Sequence, residues 1–181
     1  MVRNLSTESE AVLVSKCRKG DAVAQKRVYE WLAPRMYAVC IRYVGDAEEA
    51  KDVLQDGFIT LFSKIGTYKG DGSFEGWARR IFITSSLMHL RKKDALKHAE
   101  DVEEYGEVIA NDYSVTDTLD AQTLLKLIAQ MPSGFRTVFN MYAIEGFSHQ
   151  EIAKELGITE GGSRSQLSRA KNWLKDKMKG F

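Results

Sequence analysis

Arg164, Ser165, Ser168 and Arg169 stand close together in a stretch, residues 160–179, that holds six bases against two acids. An arginine side chain can donate two parallel hydrogen bonds to a guanine edge, worth about 1–3 kcal/mol against the wrong base. Serines at neighbouring positions are small and polar, so a base edge can come close. Lys171, Lys175 and Lys177 suit phosphates, which position a protein on DNA without reading sequence. A second set lies in TYKGDGSFEGWARR, residues 67–80. Tyr68, Phe74 and Trp77 offer flat faces, and Lys69, Arg79 and Arg80 offer charge for a backbone. Stacking of a base on an aromatic ring contributes about 1–3 kcal/mol. A third set, Asp52, Gln55, Asp56 and Ile59, follows i, i+3, i+4, i+7 spacing. One acidic-polar helix face of that kind suits a basic helical partner.

Other chemistries find no support. GDGSFEG is not followed by Gly-Lys-Ser/Thr, so it is no Walker loop, and its ligand spacing stops short of a calcium loop. His89, His98 and His149 match no zinc pattern with Cys17 or Cys40. No nucleophile, base and orienting group come with a supporting motif. No catalytic centre, metal site, cofactor or small-molecule substrate is expected. The two cysteines are expected to be reduced packing residues.

The elements that must carry these residues read as helices. Proline occurs twice, at Pro34 and Pro132, and no segment alternates with period two. Val12, Val14, Val28, Trp31 and Leu32 fit one apolar face, and Val53, Leu54, Ile59, Leu61, Phe62 and Ile65 a second. Phe74, Trp77, Ile81, Leu87 and Leu90 fit a third, so Phe74 and Trp77 also stand at core spacing. Asp46 with Glu49, and Ser148 with Glu151, have capping-box spacing. Ser73 and Thr159 are expected caps, and Pro132 an expected first helical residue. After HQEIAKEL, Gly157 permits the positive φ of a helix end, Ile158 is expected to plug the core, and a second helix begins. On that helix Ser163, Leu167, Ala170 and Leu174 face inward, which turns Arg164, Ser165, Ser168, Arg169 and Asn172 outward or to the flanks. Helix, glycine turn and helix is the arrangement whose second helix enters a DNA major groove. An ordinary helical hairpin with a solvated basic face is the plainer reading.

The formal net charge of the 181 residues is only +1, but the charge is segregated. Residues 1–65 carry +1, residues 66–98 +4, residues 99–115 −6 and residues 116–181 +2. The acidic stretch, with weak periodicity, reads as a tether between two helical domains. The start MVRNLSTESE lacks a basic end followed by an apolar run, and no stretch is long and apolar enough to span a membrane. A cytoplasmic location is expected.

Residues 46–93, DAEEAKDVLQDGFITLFSKIGTYKGDGSFEGWARRIFITSSLMHLRKK, closely resemble region 2 of bacterial sigma factors. Residues 122–181, with MPSGFRTVFNMY ahead of the helix-turn-helix, resemble region 4, and the short two-part layout resembles the extracytoplasmic-function (ECF) class. The resemblance implies an all-α fold of two small helical domains, a region 2 bundle (1–98) and a region 4 helix-turn-helix (116–181), joined by a flexible acidic linker (99–115). It implies core RNA polymerase as partner through the β′ clamp and β flap, with Asp52, Gln55, Asp56 and Ile59 docking on the clamp. It implies −10 recognition and melting by Tyr68, Lys69, Phe74, Trp77, Arg80, Thr84 and Arg91. It implies −35 reading by Arg164, Ser165, Ser168, Arg169 and Lys171, and an anti-sigma factor that covers these surfaces.

The chain departs from the family where Thr84 stands in place of a common Asn and Met88 in place of a common Asp. It departs again at Glu160-Gly161-Gly162-Ser163, where Gly-Thr-Val is frequent. The competing expectation is an ordinary helix-turn-helix regulator of duplex DNA. That reading gives no role to DVLQDGF or to the aromatic loop.

Overall fold

The computed structural model describes residues 10–100 and 119–179, and every regular element among them is helical. Helices α1 (Glu10–Arg18), α2 (Ala22–Val44), α3 (Ala47–Lys64) and α4 (Phe74–Glu100) come first, with a short 3₁₀ turn, Ile65–Thr67, after α3. Helices α5 (Leu119–Gln130), α6 (Ser133–Phe139), α7 (His149–Leu156) and α8 (Glu160–Met178) follow, and α6 runs on as a π-helical turn, Asn140–Ile144. Of the expected acidic linker, residues 101–115 lie outside the described residues and residues 99 and 100 end α4. No described helix is long and apolar enough to cross a membrane.

The chain divides into two compact units, Met1–Cys40 with Glu48–Glu100, and Ile41–Ala47 with Asp101–Phe181. The first apolar face expected from the sequence belongs to two helices. Asp21 accepts from the Val23 and Ala24 amides and starts α2 afresh, and Val12 is left 44 % exposed. Pro34 lies inside α2, where proline costs a helix about 3 kcal/mol. The helix continues because Val28, Leu32, Met36 and Val39 are fully buried on both sides of it. Gly57 on α3 admits the Phe82 ring of α4, against which any Cβ there would collide. Phe82 in turn meets Phe58 edge-on at 5.0 Å.

Glu49 on α3 reaches His89 Nε2 at 3.0 Å and accepts from Lys93 Nζ, both on α4. Burial pushes the Glu49 carboxyl up, but the hydrogen bonds and charges of Lys93 and His89 outweigh it and hold the group below its ordinary value.

In the second unit, Ile128, Met131 and Ala170 form a core covered by Phe135, Phe139, Trp173 and Leu174. The last turn of α2 ends against Arg136, a buried guanidinium. It donates from Nε to the Tyr43 carbonyl at 2.9 Å, from Nη2 to the Val44 carbonyl at 2.8 Å and from Nη1 to the Ala129 carbonyl. Asn140 Nδ2 serves the Arg42 carbonyl at 2.8 Å, and Arg42 pairs with Glu145 at 2.7 Å. The final carbonyls of a helix have no donors within it, and these side chains supply them. In the sequence Arg136 looks like any other surface base.

Candidate nucleic-acid interface

The α7–α8 segment is built by its caps. Ser148 accepts from the Glu151 amide and the Glu151 carboxylate accepts from the Ser148 amide, a complete capping box. Gly157 closes α7 at φ 68°, in the left-handed region that glycine enters without a Cβ penalty. Thr159 then accepts from the Gly162 amide at 2.9 Å and starts α8. Gly161 and Gly162 therefore sit in a capped first turn. Pro132 is the residue before α6 rather than its first. Ile158 does not plug the core: it is 38 % exposed, while Ile152 and Ala153 of α7 are the buried residues next to the turn.

Ser163, Leu167 and Ala170 are buried, and Arg164, Ser165, Ser168, Arg169 and Lys171 are exposed on the other side of α8. Arg164 is held by Glu160 at 2.9 Å one turn earlier. Arg169 makes no hydrogen bond or ion pair among the described residues, so it is the freer of the two arginines. Lys171 lies 5.9 Å from the Tyr142 ring centre, and Tyr142 stacks on His149 at 4.5 Å. His149 Nδ1 meets the fully buried Ser163 hydroxyl at 2.9 Å. A polar residue at an inward position is thus satisfied by a partner from α7, a pairing that spacing on α8 alone could not disclose.

The loop before α4 departs more from expectation. Tyr68 and Phe74 are buried, their rings 5.3 Å apart, and Trp77 is half-buried beside both. The Tyr68 hydroxyl donates to the Gly72 carbonyl at 2.8 Å. Burial first, and the Glu10 carboxylate second, raise that hydroxyl above its ordinary pKa. Lys69 is left at the surface between Tyr68 and Gly70. Ser73 caps α4 by accepting from the Gly76 amide at 3.0 Å. Along α4, Arg80, Thr84, Met88 and Arg91 form one exposed stripe, with the Thr84 hydroxyl turned back onto the Arg80 carbonyl at 2.9 Å.

On α3, Asp52, Gln55, Asp56 and Ile59 are exposed together, Ile59 by 62 %. Gln55 and Ile59 also line an open, mainly apolar groove of about 440 Å³, with Tyr29, Leu54, Phe58 and Phe62 among its other walls. Among the described residues no group of three or more His, Cys, Asp or Glu side chains is arranged to hold a metal.

Residues 28–96 match the family described as Sigma-70 region 2, and residues 121–174 match Sigma-70, region 4. The chain is 31 % identical to the RNA polymerase sigma-H factor of Pseudomonas aeruginosa, over 92 % of each chain. It is 24 % identical to the ECF RNA polymerase sigma factor SigW of Bacillus subtilis, over 92 % of this chain and 95 % of that one. Among solved structures, its fold is similar to the sigma factor RpoE in complex with the anti-sigma factor NepR from Bartonella quintana. The TM-score there is 0.60 at 21 % identity, over 85 % of this chain and 96 % of that one. It is also similar to CnrH in complex with the cytosolic domain of CnrY, with a TM-score of 0.50 at 19 % identity, over 96 % of this chain and 99 % of that one.

Proposed function

The chain belongs to the RNA polymerase sigma factors of the ECF class, directing polymerase to promoters, and from that premise we propose how its surfaces divide the work. Residues 1–98 bind core polymerase and open the −10 region, residues 116–181 read the −35 duplex, and residues 99–115 tether the two. The β′ clamp takes the α3 face of Asp52, Gln55, Asp56 and Ile59, where acidic side chains steer a basic partner and the apolar groove beside them supplies contact area. The −35 bases are read by Arg169 first, with Arg164, Ser165 and Ser168, and Lys171 holds a phosphate. At the −10 element, exposed Lys69, Arg80, Thr84 and Arg91 meet the strand and Trp77 offers a stacking face. Tyr68 and Phe74 shape the loop from below.

The protein itself catalyses nothing; polymerase does the chemistry, and binding energy is directed to one melted promoter state. It works in the cytoplasm. An anti-sigma factor covers its surfaces, as the two structural relatives are each seen bound by one or by a cytosolic partner domain.

The observation that carries this reading is the order of the two regions in one short chain, with the exposed arginine–serine face on a capped helix-turn-helix. Run-off transcription with active, matched core polymerase tests it. Promoter-specific transcripts are expected only when this protein is added. Duplex binding without any polymerase-dependent transcript would instead identify an ordinary helix-turn-helix regulator. Each phosphate contact should lower log K by about 0.9 per log unit of salt.

A further inference from the structure

Helix α1 touches the loop ahead of α4 at both of its ends. Arg18, at the last turn of α1, donates from Nε to the Ile65 carbonyl at 3.3 Å and from Nη2 to the Tyr68 carbonyl, at the loop's entry. Glu10, at the first turn, accepts from the Phe74 amide at 3.0 Å, at the loop's exit. Eight residues of helix span about 12 Å, so the two side chains act at separate points. Inside the loop the Tyr68 hydroxyl closes onto the Gly72 carbonyl, and its ring packs on Phe74 and Trp77. Gly70 and Gly72, at φ 88° and 81°, are positions that would otherwise leave the chain free to take many shapes. The side chains that remain at the surface of the loop are those of Thr67, Lys69, Asp71 and Ser73.

We propose that α1 is a brace for this loop: Glu10, Arg18 and the Tyr68 hydroxyl are positioning residues that hold residues 66–73 in one base-receiving shape before DNA arrives. The inference rests on the reading of that loop as the element that captures the −10 strand. The physical reason is preorganisation. A loop that samples many shapes binds with its intrinsic affinity reduced by the fraction of time it spends in the competent one. Tyr68 then contributes to base capture without touching a base. Its phenol fixes the loop path, and its ring supports the face that Trp77 presents.

The test uses holoenzyme assembled from the full chain and core polymerase. The probes are a fluorescent single-stranded −10 oligonucleotide recovered from a randomised promoter pool, and the same oligonucleotide with the most selective base replaced. Tyr68→Phe keeps the ring and deletes one hydrogen bond; Arg18→Gln deletes the guanidinium. Each should weaken binding of the preferred oligonucleotide about three- to tenfold, the effect of one net hydrogen bond. Each should also shrink the ratio between the two oligonucleotides, while affinity for core polymerase stays within about twofold. The ratio does not depend on the fraction of folded protein, so simple destabilisation would not move it. Lys69→Ala tests the loop reading separately. If Lys69→Ala weakens binding and neither other variant does, the brace is wrong and the loop reading stands. If none of the three has an effect, the loop reading falls and the brace with it. An unchanged ratio with core affinity falling in step would reduce α1 to general support and overturn the proposal.

Discussion

Loop 66–73 and the residues that flank it, Ile65 and Phe74, are hydrogen-bonded by Glu10 and Arg18, groups 47 to 64 residues away in the chain. The α7–α8 segment takes its own hydrogen bonds from Ser148, Glu151, Thr159 and His149, groups 3 to 14 residues away. Both segments are proposed to meet promoter DNA, but they are made rigid by different means. The helix-turn-helix has the stereochemistry of each junction written into adjacent residues, so its exposed face follows once the caps are placed. The loop has two glycines at positive φ and little local structure, so its shape depends on elements that pack beneath it. A reader of duplex DNA can be a stiff local motif, because the groove is already formed. A receiver for a melted strand needs a pocket, and a pocket is made where distant pieces of chain converge.

The sharpest way to break that comparison is Phe82→Ala. Phe82 is fully buried beneath α3, against Gly57 and Phe58. Truncation should cost about 3–5 kcal/mol by denaturant unfolding. It should abolish −10 oligonucleotide binding while duplex −35 binding by the same protein persists; equal loss of both would contradict independent support. His149→Ala comes next. It strands the buried Ser163 hydroxyl and should cost about 1–3 kcal/mol. Adding Ser163→Val should recover much of that loss, and a double variant no better than His149→Ala would remove His149 as the reason a serine is tolerated there.

Ser148→Ala removes one half of the capping box and should cost about 1 kcal/mol. Duplex −35 affinity should fall and −10 oligonucleotide binding should not. The smallest effect is expected from Glu49→Gln, a few tenths to about 1 kcal/mol for a half-exposed cluster. The folded Glu49 carboxyl is more acidic than the unfolded one, so its stabilisation is present above the unfolded value and fades as pH falls through the folded value. Stability curves of the two proteins should therefore converge in acid below the ordinary carboxylate range, and a constant gap would reject the assignment.

Much of the α7–α8 face was legible in sequence because every signal acts within one or two helical turns. Ser148 with Glu151, Gly157, Thr159, and the inward row Ser163, Leu167 and Ala170 each lie where their spacing placed them. The exposed face of Asp52, Gln55 and Asp56 was legible for the same reason, whereas Ile59, which spacing put both on that face and in the apolar row of α3, is 62 % exposed and belongs to the first. Tyr68 was not. An aromatic residue between a threonine and a lysine, next to glycines, looks like a surface ring, and only the packing of α1, Phe74 and Trp77 around it makes it internal. Ile158 shows the reverse error: it is apolar and follows a turn, yet it lies 38 % exposed, because apolar character alone does not say where the folded chain carries a residue.

The sequence by itself determined that the chain is helical, where most helices begin, which residues share a face, and that charge is concentrated in segments despite a net +1. These follow from backbone geometry and side-chain chemistry over a few residues, and they need no knowledge of what lies opposite. Tertiary structure alone decided that Arg136 is buried on the carbonyls of α2, that Glu49 binds His89 and Lys93 of α4, that His149 satisfies Ser163, and that α1 grips both ends of a loop about 50 residues on. A hydrogen bond or a burial depends on the partner as well as the residue, and those partners meet only when the chain has folded.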